Sequence, residues 1–179
     1  MSTTADTATV NQALTGAQRA LVSREVVASA DGRTDRASRI AWTAMLRAPA
    51  DPVRLRAVIE SVIASHPILS VRVADRHRSM SFPAAGEERS VELIVTAEQP
   101  SRDALARWAD RLEPHQGLNV LAVLSQDIDQ PGHLSVLVHH VVFDGASAAL
   151  FFDALSEAFA SGLDGAGEVA PEVGFVTYA

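Results

Sequence analysis

An apolar run, Leu134 to Val138, leads into His139-His140-Val141-Val142-Phe143-Asp144-Gly145, and a second apolar run, Ala146 to Ala160, follows at once. No other stretch limits so narrowly what the chain can fold into. The first run reads as a buried strand. The second carries Phe151, Leu155 and Phe159 at intervals of four and reads as a helix. Two imidazoles, a carboxyl and a glycine therefore occupy a strand-to-helix junction, where open sheets usually hold their chemistry. Histidines at such a place are costly to bury unless each is hydrogen-bonded or used.

The rest of the chain is long enough to support such a junction. With 179 residues, 47% of them apolar, it can form one domain with a sizeable core. The net charge of −7 argues against a nucleic-acid or anionic-membrane surface. Arg72, Arg76, His77 and Arg78 make a local basic cluster, read as a solvated turn between strands in preference to a phosphate site. The absence of cysteine removes disulfides, thiolate nucleophiles and cysteine-based metal sites. The N-terminus is polar and rich in Thr and Ala, unlike a signal peptide, and no segment has the length to span a membrane. A cytoplasmic protein is expected.

Along the chain, residues 1–12 read as a mobile tail, 13–160 as the folded unit and 161–179, rich in Gly, Asp and Glu at its start, as a linker. Leu14 to Val22 is a short apolar segment, and Asp31 to Asp35 a polar turn. Arg39 to Leu46 alternates, with Ile40, Trp42, Ala44 and Leu46 on one face of a strand. Asp51-Pro52 predicts a helix start, and Leu55, Val58, Ile59, Val62 and Ile63 form its apolar stripe up to Pro67. Leu69 to Val73 and Ser90 to Val95 read as strands, and Ser101 caps a helix carrying Leu105, Trp108 and Leu112. Leu118 to Leu124 and Leu134 to Val138, joined through Asp-Gln-Pro-Gly, predict a hairpin. This order predicts a mixed sheet covered by helices, an α/β sandwich.

His139 to Gly145 resembles the HHxxxDG signature of the CoA- or carrier-protein-dependent acyltransferases. That superfamily includes condensation domains of nonribosomal peptide synthetases, polyketide-associated acyltransferases and trimeric chloramphenicol acetyltransferases. Other stretches resemble its side motifs in order and spacing. Leu14 to Arg19 is similar to the "S-x-A-Q" opening, His66 to Val73 to the "H-E/P-x-L-R-T-x-F" strand, and Phe175 to Ala179 to "Y-x-D-Y-A". The resemblance implies a chloramphenicol-acetyltransferase-like α/β fold, of which this chain matches the first of two lobes.

Neighbouring residues of a strand point to opposite faces, so His139 and His140 cannot share one metal or one substrate. The resemblance assigns catalysis to His140, as general base, and leaves His139 to pack. An imidazole with its ordinary value near ~6.5 is mostly neutral and able to accept a proton. For Asp144 two roles stand, polarising His140 or, preferred because the family uses this acid so, pairing with an arginine to shape the turn. Ser70 occupies the family's arginine position, so Arg72, on the same strand face, is the candidate partner; Arg19 and Arg39 are weaker ones. Gly145 is expected to permit a tight turn, and Ser147 to cap the helix or line the cleft, capping being preferred. No metal site and no tightly bound cofactor are expected. His66 reads as a helix-end residue.

The resemblance implies an acyl donor held as a phosphopantetheine or CoA thioester and an amine or hydroxyl acceptor. The implied partners are an acyl or peptidyl carrier protein and a second lobe, a partner chain or a further copy of this chain completing the site. The other reading is a non-catalytic lobe that binds a carrier protein or partner subunit.

Overall fold

The computed structural model describes residues 11–74, 78–84, 91–127, 130–161 and 169–176; of residues 160, 161 and 169–176 only the backbone is described. Arg76 and His77 of the basic cluster lie outside them. The elements, in chain order, are β1 (Asn11–Ala13), α1 (Gly16–Ala30), β2 (Arg39–Leu46), α2 (Pro52–Ser65), β3 (Arg72–Val73), β4 (Ser79–Ser81), β5 (Glu92–Thr96), α3 (Arg102–Ala109), β6 (Val120–Ser125), β7 (His133–His139), α4 (Gly145–Ser161) and β8 (Val169–Val176).

Five strands form the main sheet in the order β5-β6-β7-β2-β8, so β7, which delivers the two histidines, is the central strand. β5 and β6 run parallel and the remaining pairs antiparallel, which makes the sheet mixed. The predicted hairpin is β6–β7, closed at Ser125 opposite His133. Strand alternation divides the core in two. Trp42, Ala44, Leu46, Leu134, Val136 and Val138 pack with α2 and α4, joined by Leu55, Ile59, Phe152 and Leu155. On the other face Ala41, Leu121, Val123 and Leu137 meet Leu105, Ala109 and Leu112. This is the expected helix-covered mixed sheet. β1, β4 and β3 form a small antiparallel sheet beside it.

α2 begins as its sequence demands. Asp51 accepts hydrogen bonds from the N–H groups of Val53 at 2.7 Å and Arg54 at 3.1 Å, with Pro52 in the first turn. Its five predicted apolar residues are all buried. The helix gives way at His66, and Pro67–Ser70 continue as a 3-10 turn. The predicted strand over Leu69 to Val73 is therefore reduced to Arg72–Val73, and it joins the small sheet.

Where a short apolar segment was expected, α1 runs for 15 residues. Thr15 accepts from the N–H of Gln18 at 3.2 Å, and Gln18 Oε1 accepts from the N–H of Thr15 at 2.9 Å, a complete capping box. At the other end Gly32, at φ 67°, lets the Arg33 N–H reach back to Ala28 O at 2.8 Å and its own N–H to Ser29 O at 2.9 Å. Only Val22 and Ala28 are buried, and the other apolar residues lie around the circumference, so no stripe announces the helix.

Both ends of the folded unit extend beyond their expected limits. Asn11 and Gln12, placed in the tail, pair with Ser81 and Met80. The segment 161–179, read as a linker, contains β8, which pairs with the free side of β2 and shifts register between Thr43 and Met45. Pro171 has no N–H to give to a ladder, and an edge strand is where such a residue is tolerated.

Candidate functional site

At the end of β7 alternation separates the two imidazoles. His139 belongs to the face covered by α3 and is 0% exposed, whereas His140 lies just past the strand end and is half-buried. Arg39 is the cross-strand partner of His139, so the two side chains project from the same face. Both converge on Glu25 of α1. His139 Nε2 lies 2.8 Å from Glu25 Oε1, and Arg39 Nη1 lies 2.8 Å from the same oxygen.

The tautomer of His139 follows from its second contact. The Val141 N–H points at His139 Nδ1 at 3.2 Å, so Nδ1 carries a lone pair. Nε2 then carries the hydrogen and donates it to Glu25, making a neutral imidazole hydrogen-bonded to a carboxylate. Burial opposes ionisation of Glu25, but the hydrogen bond from His139 and the Arg39 guanidinium outweigh it and hold the carboxyl below its usual range. Arg39 is held in turn by the carbonyls of Ala109 at 3.1 Å and Asp35 at 2.9 Å.

His140 has the opposite tautomer. Its Nδ1 lies 2.6 Å from the carbonyl oxygen of Phe143. A carbonyl only accepts, so Nδ1 carries the hydrogen, and in the neutral ring the lone pair is then on Nε2. Nε2 makes no hydrogen bond among the described residues. The ring lines a cleft of about 560 Å³ together with Gln18, Leu21 and Arg24 of α1, Ile68 and Ser147. Gln18 ties α1 to this wall, since its Nε2 donates to Val141 O at 2.8 Å. The cleft thus has the Nε2 edge of the ring among its lining groups. Among the described residues no group of three or more His, Cys, Asp or Glu side chains is placed to hold a metal ion, and no helix is long and apolar enough to cross a membrane.

No family model matches the sequence, and no curated protein matches it either. Solved structures match in fold. The chain is similar to the condensation domain from the Monacolin K polyketide synthase MokA, with TM-score 0.67 and 15% identity over 87% of this chain and 36% of that one. It is similar to the first condensation domain of the calcium-dependent antibiotic synthetase, with TM-score 0.64 and 22% identity over 84% of this chain and 39% of the other. The starter condensation domain of the rhizomide synthetase RzmA gives TM-score 0.60 and 15% identity, covering 82% and 36%. The fold is that of a condensation domain. This chain spans 36–39% of the length of those three.

Within the condensation-domain fold, the Asp144 side of the site departs from expectation. Asp144 is exposed, and its Oδ1 accepts from the Ser147 N–H at 2.9 Å and the Ser147 hydroxyl at 2.8 Å. Its carbonyl accepts from the Ala148 N–H at 3.1 Å, so Asp144 is the N-cap of α4 and Ser147 stands three residues inside. Hydrogen bonds from the backbone and hydroxyl of Ser147 hold the Asp144 carboxyl below its usual range, against a small opposing effect of burial. No arginine pairs with Asp144 among the described residues. Arg72, the expected partner, turns its Nε toward Gln116 O at 3.5 Å, and its stem lies against Gly117, whose φ of 82° and close approach (an added Cβ would sit 3.2 Å from Arg72 Cγ) favour glycine. Arg39, a weaker candidate, is committed to Glu25.

Two further expectations are corrected here. Ser147 does not cap α4; Asp144 does, and Ser147 donates to it while lining the cleft. Gly145 is not required by the turn, because its φ is not positive and an added Cβ would meet nothing within 4 Å. Glu25 was missed altogether. Once α1 is recognised as a helix, Gln18 and Glu25 fall seven residues, two turns, apart on one side, and that spacing was its only signal.

Proposed function

We propose that this chain supplies the histidine wall of an acyl-transfer site, with His140 as general base. The observation that carries the proposal is the bond from His140 Nδ1 to Phe143 O, which leaves Nε2 as the basic nitrogen of a ring lining the cleft. The acceptor is an amine or hydroxyl, and the donor a thioester of CoA or of carrier-protein phosphopantetheine. Nε2 takes the proton from the acceptor as its nitrogen or oxygen bonds to the thioester carbonyl carbon. The tetrahedral intermediate then expels the sulfur, and the imidazolium returns the proton to the departing thiolate. General-base action of this kind contributes typically about 10²- to 10⁴-fold in rate.

Asp144 acts through the helix it caps. Its exposed carboxylate lies on the cleft beside His140 and also favours the imidazolium formed during transfer. The opposite wall is proposed to come from a second lobe, a partner chain or another copy of this chain. Holding donor and acceptor together supplies roughly 7–11 kcal/mol of catalytic advantage, and a single wall holds neither on both sides.

The test mixes the protein with an acyl thioester carried on a carrier protein and with an amine or hydroxyl acceptor, alone and with a candidate second lobe, and follows product by mass. Transfer that His140→Ala abolishes is the expected result. Carrier binding with no transfer under any pairing would instead favour a non-catalytic binding module.

A further inference from the structure

We infer that Glu25, a residue of α1 remote in sequence from the histidine motif, is the positioning residue that sets the geometry of His140. The inference rests on His140 being the reactive group, as proposed above, but its geometry stands independently. Four hydrogen bonds link the two residues in series. Glu25 Oε1 accepts from His139 Nε2 at 2.8 Å, which leaves His139 Nδ1 with a lone pair. That lone pair accepts from the Val141 N–H at 3.2 Å. The Val142 N–H closes on His139 O at 3.2 Å, and the chain then returns Phe143 O to His140 Nδ1 at 2.6 Å.

Each link depends on the one before. If His139 carried its hydrogen on Nδ1, that hydrogen would face the Val141 N–H, two donors without an acceptor at a buried site. The turn would then have to open, and with it the carbonyl that fixes the His140 tautomer. Glu25 prevents this because a carboxylate only accepts. The hydrogen bond from His139 and the Arg39 guanidinium on the same oxygen favour its ionised form, and Arg39 is itself anchored on Ala109 O and Asp35 O. A second strut, Gln18 Nε2 to Val141 O, joins the same helix to the same turn. In this chain α1 and Glu25 thus brace the turn from behind, where an Asp144–arginine pair was expected to hold it.

The experiment records imidazole ¹⁵N spectra of the full chain, unaltered and as Glu25→Gln and Glu25→Ala, together with kcat and KM for acyl transfer measured with the candidate second lobe present. In the unaltered protein His139 should bear its hydrogen on Nε2 and His140 on Nδ1. Glu25→Ala should mix the His139 tautomers, shift the His140 signals and lower kcat by about 10²-fold with KM little changed, the scale of a reactive group misplaced by about 1 Å. Glu25→Gln, whose Oε1 still accepts, should restore both tautomers and most of kcat. A His139 with its hydrogen on Nδ1 in the unaltered protein overturns the inference without any variant, so a failure of Glu25→Ala to fold does not shield it. Unchanged His140 signals in a folded Glu25→Ala protein overturn it as well. Tautomers that respond as expected in a protein that transfers no acyl group with any candidate second lobe present would instead sink the acyl-transfer reading and leave the positioning role standing.

Discussion

Asp144 Oδ1 accepts the backbone N–H of Ser147 at 2.9 Å, three residues into the helix that Asp144 precedes. The acid of the motif is therefore a helix cap on an exposed corner. Removing an N-cap costs about 1 kcal/mol, against roughly 3–5 kcal/mol for orphaning one member of a buried ion pair. Asp144→Ala is expected to lower Tm by about 2–4 °C, as befits a loss of about 1 kcal/mol in a domain of this size. Asp144→Asn should recover most of it. A loss of several kcal/mol in calorimetry would mean that an arginine holds the acid after all.

Gly145 offers a complementary check. Its φ is not positive and its Cβ position is open, so Gly145→Ala should stabilise α4 by about 0.4–1 kcal/mol. A clear destabilisation by urea titration would show that the turn needs glycine.

Two carboxyls give the fold a defined acid limit. Glu25 and Asp144 are both held below the usual carboxylate range in the folded chain, so the unfolded chain binds more protons as pH falls into that range. Their contribution is fully present above the ordinary carboxylate value and disappears as pH drops through the lowered, folded values. Urea midpoints taken from pH 7 down to 3 should fall with acid, and Glu25→Gln should flatten part of that fall. An identical slope in the variant would show that Glu25 carries no such linkage.

The capping box predicts a further effect. Gln18 satisfies the Thr15 N–H and also holds Val141 O, so Gln18→Ala removes a helix start and a brace of the turn together. A loss of about 1–2 kcal/mol is expected from two hydrogen bonds of ordinary strength, with His140 signals shifting in the same spectra. Loss of stability with an undisturbed His140 would separate the two functions.

The sheet was legible because its signals are local. Alternation marked β2, the Asp51-Pro52 start marked α2, and the paired apolar runs marked the β6–β7 hairpin around the motif. That His139 and His140 face opposite ways followed from alternation, while the family resemblance indicated which of them packs. What escaped had no local period. α1 spreads its apolar residues around its circumference, so only Thr15 and Gln18 at one end and Gly32 at the other betrayed it. β8 was hidden because the Gly, Asp and Glu residues that precede it read as linker, while its pairing is set by the free side of β2. The Asp144 partner was misassigned because an ion pair is a tertiary fact. Arg72 shares a strand face with the expected arginine position, but that strand is two residues long and lies in the small sheet. Glu25 reaches His139 across 114 positions of sequence, beyond any spacing rule.

His140 as a base with its lone pair on Nε2 is the centre of the proposed chemistry, and its tautomer can be read without knowing donor or acceptor. The deciding measurement is a long-range ¹H–¹⁵N spectrum of the uniformly labelled, unaltered protein near neutral pH, with His140 assigned by its absence in His140→Gln. A protonated Nδ1, which the contact with Phe143 O requires, and a bare Nε2 are expected. A ring with its hydrogen on Nε2 and a bare Nδ1 would contradict the proposal, because Nε2 would then have no lone pair with which to take a proton.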